Sequence, residues 1–191
     1  MENQTKKTKW QSFWELARFA LIAIIIVVPI RMFIAQPFIV SGSSMVPTFQ
    51  NGEYLVIDEI SYLLGTPKRD YVVVFRNPND TKIFFIKRII GLPGETVDVK
   101  SSENVVTIIN KENPNGFNLD QSFIKNTGGI DAHMELGDKE YFVMGDNRPA
   151  SSDSRYWGVV PKKLMIGRAY LRLLPISKID FMPGAFKQAV N

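Results

Sequence analysis

One apolar run near the N-terminus restricts the fold of this chain more than any other feature. No charged or polar residue occurs from Phe19 to Ile30, and the apolar character extends from Trp14 to Ala35 if Glu15, Arg18 and Arg31 are tolerated. These 22 residues match the roughly 20 that a helix needs to cross a bilayer. A helix in a soluble core would show a polar face, and this run has none. We therefore expect a transmembrane anchor over residues 14–35.

A cleaved export signal is the main alternative, since the uncharged run has the length of a signal-peptide core. Cleavage requires small residues one and three positions before the cut. The best available site, Phe33-Ile34-Ala35, has a bulky phenylalanine at the outer position and Pro37 just beyond it. The sequence therefore favours an anchor that stays attached.

Flanking charges predict the orientation of that anchor. Lys6, Lys7, Lys9 and Arg18 precede or open the run, whereas Arg31 is the one basic residue from there to Val56. Because basic flanks stay in the cytoplasm, residues 1–13 are expected to be cytoplasmic. Residues 36–191 then form a domain outside the cell membrane, reached by a single pass.

Composition excludes several functional classes. The chain has no cysteine, so it forms neither disulfides nor a thiolate nucleophile. Its one histidine, His133, cannot form a zinc site, which normally needs about three or four ligands. We therefore expect no metal or cofactor. The net charge of +4 is scattered rather than gathered in a basic stripe, which argues against nucleic acid as a partner.

Short apolar segments separated by turn residues make the rest of the chain mainly β. Turn signals include Asn77-Pro78, Gly91-Leu92-Pro93-Gly94 and Gly128-Gly129. Residues 100–139 are richer in Asn, Gly and Ser than their neighbours and predict a small inserted lobe. The predicted strands are Tyr54 to Ile57, Tyr71 to Phe75, Ile83 to Ile90, Val97 to Val99, Val105 to Ile109, Tyr141 to Met144 and Gly167 to Leu173.

Three segments carry groups suited to chemistry. Ser44 lies in a Ser/Gly cluster before Pro47, directly after the apolar run; alone, such a cluster is more often a plain loop. Lys87 and Arg88 interrupt an apolar strand, so whichever face packs inward buries a cation. An edge strand with protective charges is the alternative. Burial would lower the pKa of a lysine from about 10.4 toward about 8, which makes a neutral amine able to accept a proton.

The third segment runs from Gly145 to Gly158 and is dense in Asp, Asn, Ser and Arg. Its plain interpretation is a surface loop with side-chain turns. The large Tyr156-Trp157 pair inside it indicates instead a packed loop that supports a site.

Taken in this order, the segments resemble the signature boxes of the type I signal peptidase family of Ser-Lys proteases. The resemblance covers the anchor, Ser44 to Thr48, Tyr71 to Phe75, Lys87 to Gly94 and Gly145 to Gly158. It implies a coiled β-sheet catalytic domain behind a single membrane helix. It also implies Ser44 as nucleophile and Lys87 as general base.

Supporting roles follow from the same resemblance. Ser151 matches the serine that orients the lysine amine, and the Ser44 backbone N–H matches one oxyanion donor. Gly42 stands where some members have a serine hydroxyl that completes the oxyanion hole, so the other donor stays open between a backbone group and the Ser41 or Ser43 hydroxyl. Pro149-Ala150 stands where many members have Asp-Asn. The positions that match supporting ion pairs are Arg88, Asp146, Asp153 and Arg155.

By this resemblance the partners are exported preproteins and the lipid bilayer of a bacterial plasma membrane. The signal peptide would be cut after a small-x-small motif while bound as an extended strand. The edges expected to bind it comprise Pro37, Phe38, Ile39, Val40, Ser41, Gly42 and Ser43 on one side and Phe84, Phe85 and Ile86 on the other.

Two other functions remain open from the sequence. One is a specialised Ser-Lys processing protease of the same fold, such as a pilin-type processor; the anchor disfavours a self-cleaving repressor. The other is an inactive membrane-tethered peptide-binding module, which the presence of both Ser44 and Lys87 disfavours.

Overall fold

Two antiparallel sheets make up most of the protein. The computed structural model describes residues 9–29 and 35–186. The helices are α1 (Lys9–Pro29), α2 (Ile60–Leu64) and α3 (Ser154–Trp157). The strands are β1 (Ala35–Ile39), β2 (Tyr54–Asp58), β3 (Val72–Asn77), β4 (Asp80–Gly91), β5 (Thr96–Lys100), β6 (Val105–Ile109), β7 (Phe117–Asn118), β8 (Ala132–Glu135), β9 (Glu140–Met144), β10 (Val160–Pro161), β11 (Met165–Leu174) and β12 (Asp180–Phe181).

Helix α1 coincides with most of the apolar run. Judged over residues 9–29 and 35–186, none of the helices combines the length and the apolar character that a membrane crossing requires. The predicted anchor also includes residues 30–34, which lie outside the described part of the chain. Its last residue, Ala35, opens strand β1.

The larger sheet has eight strands in the order β1-β2-β11-β3-β4-β9-β10, with β12 paired to β11. Strand β11 therefore separates β1 and β2 from the hairpin of β3 and β4. Alternation along β2 buries Leu55 and Ile57, which join Val72 and Val74 of β3 in one core. Met45 and Phe49, which flank the turn after Ser44, are buried in that same core.

The smaller sheet, in the order β7-β6-β5-β8, spans residues 96–135. It overlaps the stretch 100–139 that the composition marks as an inserted lobe. Val97 and Val106 of this lobe share a core with Ile90 and Phe142 of the larger sheet. The lobe is therefore packed against the larger sheet, and His133 lies on the lobe in β8 with an exposed side chain.

The mainly β prediction agrees with this architecture. All seven predicted strands occur, most with bounds one to three residues wider than the sequence suggests. The residue pattern did not predict strands β1, β7, β8, β10 and β12 or the short helices α2 and α3, since these short elements lack a clear apolar pattern and several overlap loop-like composition. The family resemblance alone implied a strand edge from Pro37, which lies in β1.

Candidate active site

Ser44 and Lys87 are in direct contact. Lys87 Nζ lies 2.8 Å from Ser44 Oγ and donates a 3.0 Å hydrogen bond to the carbonyl oxygen of Ile86. Lys87 projects from the middle of β4, and Ser44 lies in the turn that follows β1. The two groups come from segments 43 residues apart, so the sheet and not local sequence brings them together.

The surroundings of Lys87 favour its neutral form. Its side chain is only 3% exposed, and burial lowers its pKa to about 8, while the more distant carboxylates of Asp153 and Asp146 oppose that shift. The ring of Phe85 lies 5.0 Å from Nζ and covers part of the amine. A lysine with this pKa supplies a substantial population of free amine near neutral pH, as a general base requires.

The backbone around Ser44 is held by Asn147. The Asn147 N–H donates to the Ser44 carbonyl at 2.9 Å, and its side-chain amide donates to the Ser43 carbonyl at 3.1 Å. These two bonds lie on consecutive peptide units, so they restrict the peptide plane that carries the Ser44 N–H. Nearby, the Gly42 N–H donates to Asn51 Oδ1 at 2.9 Å and is already engaged.

A buried ion pair links the strand that carries Lys87 to the turn that follows Ser44. Arg88 donates to both carboxylate oxygens of Asp146 at 2.8 and 2.6 Å, and each residue is 1% exposed. Thr48 donates its hydroxyl to the same carboxylate at 2.5 Å. Arg88 also donates to the carbonyl of Gly184 near the C-terminus. Arg88 and Asp146 together therefore connect β4 to the turn at Thr48 and to the segment at Gly184.

The predicted pair Asp153 and Arg155 supports the loop after β9. Arg155 Nε donates to Asp153 at 2.8 Å with both side chains buried, and Arg155 also donates to the Arg148 carbonyl at 2.6 Å. Asp153 accepts the N–H of Gly145 at 3.0 Å. These hydrogen bonds hold the first residue of the loop in place. Asp146 and Asn147 follow it directly in the sequence.

Ser151 lies against the nucleophile turn without a hydrogen bond of its own. Within the described residues its buried Oγ has no partner, so the expected bond to Lys87 Nζ is not formed in this structure. Space here is tight: a Cβ built on Gly145 would collide with Ser151 Oγ and the Ser44 carbonyl. Ser151 is therefore next to the site, and its role stays a prediction.

A groove of about 290 Å³ leads to the Ser44–Lys87 contact. Of the predicted binding residues, Phe38 to Ser43 and Phe84 to Ile86 line it, whereas Pro37 lies in β1 outside its lining. Leu55, Val74, Ala150 and Ser152 also line it and were not predicted.

A family model described as signal peptidase, peptidase S26, matches residues 13–174. The chain belongs to this family. The resemblance inferred from the sequence is thus confirmed, and this member of the signal peptidase family is a serine endopeptidase.

Curated relatives match nearly the whole length of this signal peptidase family member. A probable signal peptidase I-2 of Synechocystis is 38% identical over 99% of this chain and 87% of its own. Signal peptidase I P of Bacillus subtilis subsp. natto is 33% identical over 91% of this chain and 96% of its own. The crystal structure of a signal peptidase I from Enterococcus faecalis aligns with 54% of this chain and 96% of that chain, at 30% identity and a TM-score of 0.45.

Several residues of this peptidase site were missed from sequence. Asn147 and Thr48 lie inside the motifs quoted above. Their polar side chains, close in sequence to residues with predicted roles, were the signal that could have identified them. Asn51 and Gly184 lie outside all motifs. No local pattern marks either residue, since each acts through one contact made by the tertiary fold.

Proposed function

We propose that this protein is a membrane-bound serine endopeptidase that removes signal peptides from exported preproteins, with Ser44 as nucleophile and Lys87 as general base. The observation that carries the proposal is the 2.8 Å contact between Ser44 Oγ and a buried lysine whose pKa is lowered to about 8. A hydroxyl is a weak nucleophile until a base takes its proton. Among the described residues, Lys87 is the titratable group placed to do so.

The chemistry proceeds in two halves. Neutral Lys87 Nζ takes the Ser44 hydroxyl proton as Oγ bonds to the scissile carbonyl carbon, which gives a tetrahedral oxyanion. Collapse of this intermediate breaks the C–N bond, and the Lys87 ammonium returns its proton to the leaving amine. Water then gives a proton to Lys87 and attacks the ester, and Ser44 leaves with that proton. The signal peptide departs with a new carboxylic acid, which releases its proton to the solvent.

The oxyanion needs donors that are in place before reaction. The Ser44 N–H is the first, on a peptide plane held by Asn147. The Gly42 N–H is excluded because Asn51 already accepts it. Another backbone N–H of this turn and the hydroxyls of Ser41 and Ser43 are the remaining candidates for the second donor, and both serines line the groove.

The substrate binds extended between β1 with its following turn and the Phe84 to Ile86 segment of β4. Both segments line the groove that ends at Ser44. Alternate residues of an extended peptide point to one side, which suits two shallow pockets and a small-x-small motif. Apolar side chains such as Val40, Leu55 and Ile86 give these pockets no polar contact with the substrate side chain.

The membrane assignment completes the proposal. The segment that begins at Trp14 crosses the bacterial plasma membrane once and ends before β1, residues 1–13 stay in the cytoplasm, and the domain that begins with β1 at Ala35 forms the catalytic domain on the outer face. Support comes from the basic N-terminal flank and from Trp10, Phe13 and Trp14, whose exposed rings contact one another in the first turns of α1. Tryptophan is enriched at membrane interfaces.

The decisive experiment uses full-length protein in detergent with a model preprotein, and maps the cut by mass spectrometry. Cleavage after the small-x-small motif is expected. Ser44→Ala and Lys87→Ala should each abolish it, while His133→Ala, in the smaller sheet, should leave it intact. Because the two groups act as one unit, the double variant should be scarcely worse than either single variant. Activity that survives Lys87→Ala would refute the proposed base.

A further inference from the structure

A second cavity, here called the upstream cavity, adjoins the catalytic groove and has about 240 Å³. Phe84 lines both spaces. The other walls are the charged side chains Glu59, Arg76 and Lys163, together with apolar side chains from Leu63 and residues 164–166. The upstream cavity is thus mixed in character, unlike the apolar end of the groove.

The two cavities are neighbours along β4 and share the Phe84 side chain as a wall. Phe84 lies three residues before Lys87 on β4, or about 10 Å at the rise of an extended strand. The Phe38 and Phe84 rings meet edge to face across the groove, 5.6 Å between centroids, and the Arg76 guanidinium lies 4.8 Å from the Phe84 centroid. The Phe84 ring therefore lies at the point where a bound peptide would leave the groove and enter the upstream cavity.

Glu59 brings an unpaired acceptor to the upstream cavity. Its Oε1 is buried and has no hydrogen-bond partner among the described residues. Glu59 precedes α2 yet makes no side-chain cap bond to it, and burial raises the pKa of its carboxyl group. A buried polar atom without a partner is unfavourable, so a ligand that pairs with Glu59 gains free energy on binding.

The charges around the cavity restrict that ligand. Arg76 and Lys163 disfavour a cation, and Glu59 disfavours an anion. A hydroxyl or carboxamide carries both a donor and an acceptor, so it pairs with Glu59 in either protonation state. A large aliphatic side chain would leave the Glu59 oxygen unpaired.

We propose that the upstream cavity is a specificity subsite that binds a neutral polar side chain (Ser, Thr, Asn or Gln) of the preprotein, about four to six residues before the cut. This inference rests on the proposed function. It adds a contact beyond the two residues of the small-x-small motif, and it makes Glu59 a substrate-binding residue.

The test uses synthetic peptides that share one small-x-small site and differ at a single position four, five or six residues before the cut. Each peptide carries Gln or Leu there, and kcat/KM is measured with the full-length enzyme in detergent. With wild type, Gln at one of these positions should be preferred by about 10-fold, the size of one hydrogen bond. Glu59→Leu should abolish the preference, and Glu59→Gln should keep it.

Two controls separate a specific effect from a general one. Glu112→Leu removes an exposed carboxylate outside both cavities and should keep the Gln preference. A short peptide that begins three residues before the cut does not reach the upstream cavity, and wild type and Glu59→Leu should cleave it equally. The Gln-to-Leu ratio is independent of the amount of folded enzyme, so partial misfolding does not obscure it.

The outcomes distinguish the two proposals. Equal cleavage of Gln and Leu peptides by wild type, or an unchanged preference in Glu59→Leu, overturns the subsite and leaves the peptidase function intact. Failure to cleave any of the peptides, the short one included, overturns both.

Discussion

With Lys87 as the proposed general base, we expect its amine to set the pH dependence of the reaction. Because only its neutral form accepts the Ser44 proton, and burial lowers its pKa to about 8, kcat/KM should rise about tenfold per pH unit below 8 and level off above it. The measurement is kcat/KM from pH 6 to 10 on one preprotein peptide. A profile that is flat through pH 8 would show that another group is the base.

The same burial makes Lys87 unfavourable for folding. Its folded pKa of about 8 is below the unfolded value of 10.5, so between these pH values the unfolded chain binds more protons and stability rises with pH. Below pH 8 the cost is complete, at about 3 kcal/mol. Lys87→Met should therefore raise the free energy of unfolding at pH 7 by up to about 3 kcal/mol, measured by urea denaturation.

The gain from Lys87→Met should shrink as the pH approaches 10.5, where wild type no longer loses a proton on folding. Ser44→Ala is the matched control, since it removes the other half of the contact without removing the buried amine. A gain that is equal at pH 7 and pH 10 would mean that packing, and not the charge, is responsible.

Ser151 offers a second residue-scale prediction. Ser151→Ala should lower kcat, toward 100-fold if the lysine amine loses its orientation, and leave KM nearly unchanged because Ser151 is not part of the groove lining. The loss should be incomplete, because burial still lowers the pKa of Lys87. The measurement is the steady-state kcat and KM of Ser151→Ala across pH 6 to 10. A kcat equal to that of wild type would show that Ser151 has no role in the mechanism. A change mainly in KM would show that Ser151 binds substrate.

The order of the motifs along the sequence predicts Ser44 and Lys87 as the catalytic pair, and burial of a lysine in an apolar strand gives a physical reason for its role. The other residues that surround the groove and the upstream cavity cannot be predicted in that way. Glu59 and Asn51 are ordinary polar residues in the sequence, and their positions depend on long-range strand pairing. The alternation of side chains along β4 predicts which residues of the strand lie on the same face as Lys87. It does not predict that the Phe38 ring contacts the Phe84 ring across the groove.

At the scale of elements, the segment Met182–Phe186 acts as a C-terminal strap. The Gly184 carbonyl accepts from Arg88, and the Phe186 ring lies 4.3 Å from Phe123, whose ring in turn lies 4.5 Å from the Arg88 guanidinium. Gly184 has φ +72, and a Cβ on it would lie 2.5 Å from Thr48. The strap thus closes over the ion pair that links base and nucleophile.

Gly184→Ala should therefore weaken both stability and catalysis. A left-handed backbone costs a non-glycine residue about 1–2 kcal/mol, and relief of the Thr48 contact shifts the strap. We expect a lower Tm by calorimetry and a lower kcat at unchanged KM. Gly52→Ala is the matched control, because Gly52 also has a positive φ but open space around its Cβ; equal effects of the two changes on kcat would argue against the strap.

Element prediction succeeded where apolar runs were long. Strand β4 stands out because Ile83 to Ile90 is nearly all apolar, and β6 matches its predicted bounds. Strand β1 was missed because Pro37 interrupts it and the anchor was expected to reach Ala35. It exists because its backbone pairs along the whole of β2, and that stabilising contact is invisible from the five residues of β1 alone.

For the whole molecule, the membrane topology is open to a direct test. Protease added outside intact spheroplasts should degrade the chain from about residue 36 onward and spare an epitope tag placed before Met1. The basic flank of α1 is the reason, since lysines retain that end in the cytoplasm. Loss of the tag with survival of the folded domain would reverse the proposed orientation.

The position of β11 has a consequence for timing. Within the larger sheet it is the strand that joins β1 and β2, which lead into the Ser44 turn, to the β3 and β4 hairpin that carries Lys87. Yet it begins at Met165, so Ser44 and Lys87 are both synthesised before it. A nascent chain lacks this joint until β11 has been added. We therefore expect the contact between Ser44 and Lys87 to form late in folding, after β11 has paired with β2 and β3.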